Sequence, residues 1–268
     1  MTEIGTCSIV YTDYYDGKHR HAQGDIPVEE AITLYLNGQA LVKLMCTPTR
    51  VEELALGFLF NEGLIEKADE VAAVERCGDN RAVDVWLNHD IETPKLRTIT
   101  SGCSGGTTFE KMSGEQSRVE SDLRITMQHV TRLMKKLSHA AILYHRSGGV
   151  HATALATLEK EIQLLCVAED IGRHNTLDKV AGTCLRQGWL MRDRVLLTTG
   201  RVSSEMVNKV THMNVPIIIS RTSPTSLSAQ LARMWGITLI GYTRRHSFRA
   251  YTGEERVAPA DNCAYVQQ

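Results

Sequence analysis

Between residues 162 and 241 the chain repeats one cycle, a short apolar strand followed by an amphipathic helix, and no other feature restricts the fold as much. Strands are expected at residues 162–168, 195–199, 216–220 and 237–241, with helices at 175–186, 203–213 and 226–235. In the first helix Leu177, Val180, Ala181, Cys184 and Leu185 recur at helical spacing and make one stripe to lay on a sheet. The runs VLLTT and PIIIS are nearly all apolar, as strands covered on both faces must be. Strands that alternate with helices predict a parallel sheet, and right-handed crossovers then bring every strand's carboxyl end to one edge.

That edge is where open α/β sheets bind ligands. The residues following the four strands are Glu169 to Asn175, Gly200 to Ser204, Arg221 to Pro224 and Tyr242 to Ser247. Each loop sets arginine beside small or hydroxyl residues. Arginine offers a planar fork to phosphate, hydroxyls add donors, and each following helix presents free N–H groups at its positive end. The expected cradle comprises Arg173, His174, Arg201, Ser203, Arg221, Thr222, Tyr242, Thr243, Arg244, Arg245, His246 and Ser247. The plainer reading makes Ser203 and Asn175 helix caps and the arginines solvated loop residues. Tyr242 suits a guanine or pterin ring, though an aromatic at a strand end also serves as rim packing. Neither GxGxxG nor GxxxxGK[ST] occurs, so the ligand is not held by a standard dinucleotide or P-loop turn. With a net charge of -1 and a pI near 6.8, the chain has no global field for nucleic acid or an anionic membrane, so any anion site is local.

The amino-terminal part follows another pattern. Strands at residues 31–36 and 40–45 flank Asn37-Gly38, a strong hairpin signal, and this hairpin is expected to open the fold. Thr47 and Pro48 are expected to cap and start a largely buried helix over residues 51–60, ended by Gly63. Residues 71–76 and 82–87 are further strands, and residues 122–138 a helix carrying Ile125, Val130, Leu133, Met134 and Leu137. The division drawn from this is an α+β region over residues 1–140 and an α/β domain over 141–268.

No run approaches the length of a membrane span, and the amino terminus lacks a basic-then-apolar signal, so a cytoplasmic protein is expected. Seven cysteines (7, 46, 77, 103, 166, 184 and 263) without paired spacing suit reduced thiols. With no CxxC or HxxxH cluster, no metal site is expected. Cys103 lies in Thr100-Ser101-Gly102-Cys103-Ser104-Gly105-Gly106-Thr107-Thr108, which reads as an exposed loop. Its neighbourhood alone assigns it no role. His151, in SGGVHA, is a histidine in a glycine-marked turn, equally readable as a residue near a strand end.

The segments LYLNGQALVKLMCTPTRVEELALGFLFNEGLI, TSGCSGG, SGGVHATAL, AEDIGRHNTLDKVAG, TTGRVSSEMVNKV, SRTSPTSLSAQLAR and GYTRRHSFRAYTGEER occur in one order over nearly the whole chain. By these the chain resembles the formate dehydrogenase accessory sulfurtransferases, the FdhD/NarQ family. The resemblance implies a cytidine-deaminase-like three-layer α/β/α domain with parallel strands and a homodimer. It also implies a sulfur carrier: a cysteine desulfurase loads a persulfide on Cys103, and the sulfur passes to the molybdenum cofactor, Mo-bis(molybdopterin guanine dinucleotide). This happens before the cofactor enters formate dehydrogenase, and the stretch Tyr242 to Ser247 matches the family's cofactor-binding segment. Family members commonly carry CxxC in the loop, whereas Gly106 stands here in place of the second cysteine. The alternative is therefore a cofactor-binding chaperone without sulfur transfer. A zinc deaminase is disfavoured, because His151-Ala152-Thr153 lacks the glutamate of H-x-E and no P-C-x-x-C exists.

Overall fold

The computed structural model describes residues 5–78, 81–91, 117–159 and 161–258. A long antiparallel ribbon, β1 (Thr6–Tyr15) and β2 (Lys18–Pro27), comes first, so the hairpin around Asn37-Gly38 does not open the fold. The ribbon escaped sequence reading because TCSIVYTDYY and KHRHAQGDIP show no steady alternation. The Asn37-Gly38 hairpin itself forms as expected, from β3 (Glu30–Leu36) and β4 (Gln39–Cys46), with φ of 49° and 75° at its two turn residues, as a two-residue primed turn requires.

Next come α1 (Val51–Asn61), β5 (Val71–Cys77) and β6 (Ala82–Leu87), the strands joining the hairpin in a sheet ordered β4-β3-β6-β5. Thr47 does not cap α1: the N-cap is Arg50, in the left-handed region without a side-chain cap bond. Thr47 is engaged elsewhere, its N–H donating to Asp170 Oδ2 at 3.1 Å and its hydroxyl accepting from Ile171 N–H at 3.2 Å.

The helix expected from residue 122 begins later, as α2 (Met127–Ala140), because Ile125 and Thr126 form a short strand, β7. The hydroxyl of Thr126 accepts the His129 N–H and so fixes the start. The chain continues through α3 (Ile142–Ser147), β8 (His151–Thr157), β9 (Gln163–Asp170), α4 (Arg173–Gln187), β10 (Val195–Thr198), α5 (Ser204–His212), β11 (Ile217–Ser220), α6 (Ser226–Met234), β12 (Thr238–Arg244), β13 (Ser247–Thr252) and β14 (Val257–Ala258), which pairs with β7.

The principal sheet is mixed rather than wholly parallel. Its order is β13-β12-β11-β10-β8-β9, with parallel pairing only among β10, β11 and β12. The reversed strand β8 is wedged between β9 and β10, antiparallel to both. Its sequence HATALAT, dominated by small residues, gave too weak an apolar signal to be read as a strand. Since β8 opposes both neighbours, β9 still runs with β10, β11 and β12, and the four carboxyl ends do share one edge.

Helix α2 covers one face of this sheet, its Val130, Leu133 and Leu137 packing with Ala154, Leu197, Ile219 and Ile240. Helices α4, α5 and α6 cover the other, where Leu177, Val180, Val207, Val210 and Ala232 meet Leu196, Ile218 and Leu239. The result is a mixed α/β architecture. The same cluster continues through α1 into the four-stranded sheet by way of Leu54, Phe58, Leu34 and Val85. Helices α1 and α4 approach so closely that a Cβ on Gly57 would lie 1.8 Å from the Asp178 carbonyl oxygen, and one on Gly182 1.9 Å from that of Glu53. Among the described residues no helix is long and apolar enough to cross a membrane.

Candidate functional site

Three loops and the start of β8 build a continuous rim on the shared edge. Because β8 runs backwards, its first residue, His151, pairs with the last residue of β9, Asp170. Thr199, just after β10, is fixed against β8 by donating its N–H to the Ala152 carbonyl and accepting Ala152 N–H on its hydroxyl. Gly200 passes so near the first loop that a Cβ there would lie 3.0 Å from Arg173 Cβ and 3.4 Å from His151 Nδ1. The second and third loops are tied by Val202 N–H to Ser223 O, Arg221 N–H to Thr198 O and Ser220 Oγ–H to Gly200 O.

Below this rim, on the α2 side of the sheet, lies a cavity of about 420 Å³. Its walls are Met134, Leu137, Ser138 and Ala141 of α2 and its end, Tyr144 of α3, Gly148, Gly149, Val150 and His151, and Thr199, Arg221 and Thr222. It is therefore apolar along the helix and polar along the sheet edge, with one guanidinium at its mouth. That volume and mixture suit a small organic anion or one nucleotide-sized group.

Behind the rim the charges are buried and paired. Asp170 is fully buried and receives Lys179 Nζ at 2.6 Å, together with N–H groups from Thr47, Gly172 and Asn175. Glu169 accepts the N–H groups of Leu143 and Tyr144, which pins α3 beside the cavity. Neither carboxylate is left to bind a metal, and both act structurally. One turn further along α4, Asp178 receives Lys209 Nζ at 2.8 Å on each oxygen, and Glu62 sits 3.4 Å from the same ammonium. Burial pushes the Glu62 carboxyl up to about 7, with Lys209 opposing and Asp178 assisting.

Both histidines of the rim are neutral at physiological pH. Burial, then the Arg173 guanidinium, lowers His151, while burial, Lys209, Arg173 and His151 together take His174 down to about 3. The contacts of His174 Nε2 with Glu205 Oε2 and with Ser203 Oγ, each at 3.2 Å, are therefore hydrogen bonds of a neutral ring rather than an ion pair. A neutral imidazole at the cavity wall can donate one hydrogen bond and accept another without placing a charge there.

The structure brings Arg173, His174, Ser203, Arg221 and Thr222 to one rim. Ser203 also has the plainer role expected of it, accepting Met206 N–H as the cap of α5. Arg201 is exposed beside them. The fourth expected loop is corrected: β12 runs on to Arg244 and turns at once into β13, Arg244 facing Ser247, so Tyr242 to Ser247 form a hairpin with no helix behind it. Thr238 to Gly241 is apolar and continuous enough to mark a strand, but nothing in YTRRHS signals that pairing continues outward. Arg245 and His246 are the exposed tip, and Ser247 is exposed beside them. Thr243 is buried and donates to Ser220 O, and Arg244 turns back to the carbonyl of Arg221. Tyr242, at φ 50°, lies under the Arg249 guanidinium, 4.4 Å from its ring centre. Cys103 falls outside the described residues. Sequence reasoning assigned no role to His151, Thr199 or Tyr144; the glycine pair before His151 was the available signal for the cavity, but the strand it precedes was not recognised.

Comparison with known proteins shows what the whole chain is similar to. The model of the FdhD/NarQ family matches residues 27–258. The chain is 36% identical over 251 residues to a Bacillus subtilis (strain 168) protein named sulfur carrier protein FdhD, covering 91% of this chain and 94% of that one. It is 32% identical over 254 residues to the Staphylococcus aureus (strain MRSA252) protein of the same name, covering 92% and 95%. A crystal structure of a Desulfotalea psychrophila protein assigned as a formate dehydrogenase accessory protein superposes with a TM-score of 0.82 at 27% identity, over 95% of this chain and all of that one.

Proposed function

The chain belongs to the FdhD/NarQ family, and from that membership we infer that it is a sulfur carrier serving formate dehydrogenase. In this reading Cys103 is the carrier. Its thiolate attacks the outer sulfur of a cysteine desulfurase persulfide; a new S–S bond forms to Cys103, the old one breaks, and the desulfurase thiolate leaves. The loaded sulfur then passes to Mo-bis(molybdopterin guanine dinucleotide), the substrate, before that cofactor enters formate dehydrogenase.

The observation that carries the reading is the cavity of about 420 Å³ with Arg221, Thr222, Thr199 and His151 on its polar side. Its donor set suits a phosphorylated guanine or pterin arm: Arg221 forks to a phosphate, the hydroxyls of Thr199 and Thr222 add donors, and Tyr144 offers a ring to stack. The neutral His151 keeps the wall free of a second cation, so Arg221 holds the anion alone. A homodimer acting in the cytoplasm is part of the proposal.

Gly106 in place of the second loop cysteine favours one other reading, a chaperone that binds the cofactor without moving sulfur. Intact-mass measurement after incubation with a cysteine desulfurase and cysteine separates the two. Gain of one sulfur by the native protein and not by Cys103→Ala supports the carrier. No gain by either supports the chaperone.

A further inference from the structure

The ribbon of β1 and β2 is a sheet of two strands, and among the described residues no other strand pairs with either. Its ten residue pairs, from Thr6 opposite Pro27 to Tyr15 opposite Lys18, extend for about 33 Å. The base is anchored on and beside α3, where Arg146 donates to Asp25 Oδ2 at 2.7 Å and Gly149 packs against Pro27. Beyond the base nearly every residue of β1 is exposed. A lone two-stranded ribbon is marginal in water, whereas three or more strands with an apolar face are stable.

The register sorts its side chains into two faces. Cys7, Ile9 and Tyr11 of β1 share one face with Ala22, Gly24 and Ile26 of β2. The Tyr11 ring lies across Gly24, where a Cβ would come within 3.0 Å of Tyr11 Cε1. Ile9, Tyr11 and Ile26 nevertheless remain 38%, 45% and 41% exposed, so this apolar face has no cover within the chain. The other face carries Ser8, Gln23 and Asp25, and Arg146 ties it to α3.

The two outer edges differ in charge. Along β2 stand Lys18, His19, Arg20 and His21, with Pro27 at the end, and cations and proline are what keep an exposed strand from pairing. Strand β1 has neither lysine nor proline, and its centre, Ser8-Ile9-Val10-Tyr11-Thr12, is rich in β-branched and aromatic residues. Its one charged residue, Asp13, is already held across the ribbon by Arg20 at 3.1 Å. The ribbon therefore admits a further strand on the β1 side and resists one on the β2 side.

We propose that the outer edge of β1 docks a second copy of this chain, the two β1 strands pairing antiparallel about a two-fold axis near Ile9 and Val10. The proposal rests on the homodimer of the reading above and adds the surface that makes it. The sequence suits this symmetry. Centred on Ile9, the pairing sets Asp13 opposite Gly5 of the other copy; centred on Val10, it sets Asp13 opposite Cys7, so the one charge on the edge never faces itself. In both registers odd-numbered residues meet odd-numbered ones, and the two apolar faces join into one across four strands. That strand number is what the isolated ribbon lacks.

Sedimentation velocity on the full-length protein at micromolar concentration gives the first reading. The native protein should run at twice the chain mass. Ile9→Lys/Val10→Lys should raise the dimer Kd by about tenfold or more, since it places like charges against each other at the axis. The second reading uses Val10→Cys and Gln23→Cys, each combined with Cys7→Ser; the two positions stand opposite one another on one face of the ribbon. A short thiol cross-linker should join residue 10 to residue 10 of the other copy, mapped by mass spectrometry of the linked peptides, and should leave residue 23 unjoined. This second reading decides if the lysine variant fails to fold. A dimer that the lysines leave intact, or one that cross-links through residue 23 and not residue 10, overturns the proposal while the homodimer stands. A native monomer overturns both.

Discussion

Replacing Gly57 with alanine tests the close crossing of α1 and α4. The added Cβ would lie 1.8 Å from the Asp178 carbonyl oxygen, 2.6 Å from the Asp178 carbonyl carbon and 2.7 Å from the Gly182 nitrogen. All three are backbone atoms, so no rotamer change relieves the overlap. Reaching an ordinary contact of 3.4 Å requires α1 and α4 to part by about 1.6 Å at that point. Parting them strips dispersion contacts from Leu54, Phe58, Val180 and Ala181 on either side of the crossing. Alanine in a helix interior returns about 1 kcal/mol through propensity. Overpacking that backbone movement must absorb costs about 3 kcal/mol, the upper end of the usual range, leaving a net loss of about 2 kcal/mol. For a chain of this size that is a melting temperature lower by roughly 4 to 8 °C. Urea unfolding and calorimetry on the native protein and Gly57→Ala measure it, and Gly182→Ala, facing the Glu53 carbonyl at 1.9 Å, should behave alike. A Gly57→Ala protein within about 1 kcal/mol of native would refute the argument, since the helices would then have room at their crossing.

The remaining predictions follow from the buried charges and the cavity. Asp178→Asn leaves the Lys209 ammonium with only Glu62 at 3.4 Å and should destabilise by about 3–5 kcal/mol in denaturant titration. Glu62, raised from 4.5 to about 7, contributes stability that is complete below pH 4.5 and lost as pH rises towards 7; His174, lowered from 6.5 to about 3, contributes stability present above pH 6.5 and lost as pH falls. The two oppose each other between pH 4.5 and 6.5, so Glu62→Gln should make stability rise more steeply with pH across that window, by up to about 1.4 kcal/mol per unit, and His174→Gln should make it rise less steeply or fall. Arg221→Ala should weaken binding of a guanine nucleotide by at least tenfold in calorimetric titration without shifting the melting temperature, because Arg221 is exposed and uses its backbone, not its guanidinium, in the fold.

Much of the main domain was legible because its signals are strong and local. VLLT and IIIS could hardly be anything but covered strands, and the stripe from Leu177 to Cys184 had to face a sheet. From these elements alone the shared edge follows, with Arg173, His174, Ser203, Arg221 and Thr222 on it. What was not legible depended on partners distant in sequence. The strand His151–Thr157 is small and weakly apolar, and only its position between β9 and β10 makes it a strand. Thr47 looked like a helix cap because the Asp170 carboxylate that claims its N–H lies 123 residues away. The segment Tyr242–Ser247 resembled the preceding strand-to-helix loops, and its true partner, β13, follows without a break or a turn signature. The cavity needed α2, α3, β8 and two loops together, and no single stretch announces such a convergence.

The reversed strand β8 bears on how the molecule is assembled as well as on its site. It pairs with β9 through a short connection, so that hairpin closes at small loop-entropy cost and can form early. Strand β10 arrives only after the whole of α4 and must add to the opposite side of β8, over the hairpin already made. The pairing of His151 with Asp170 is thus fixed by the first, local step, whereas Thr199 reaches Ala152 only in the second. Substitutions that weaken the β8–β9 pair should slow folding, and those at the β8–β10 seam should chiefly hasten unfolding. The polar wall of the cavity is finished last.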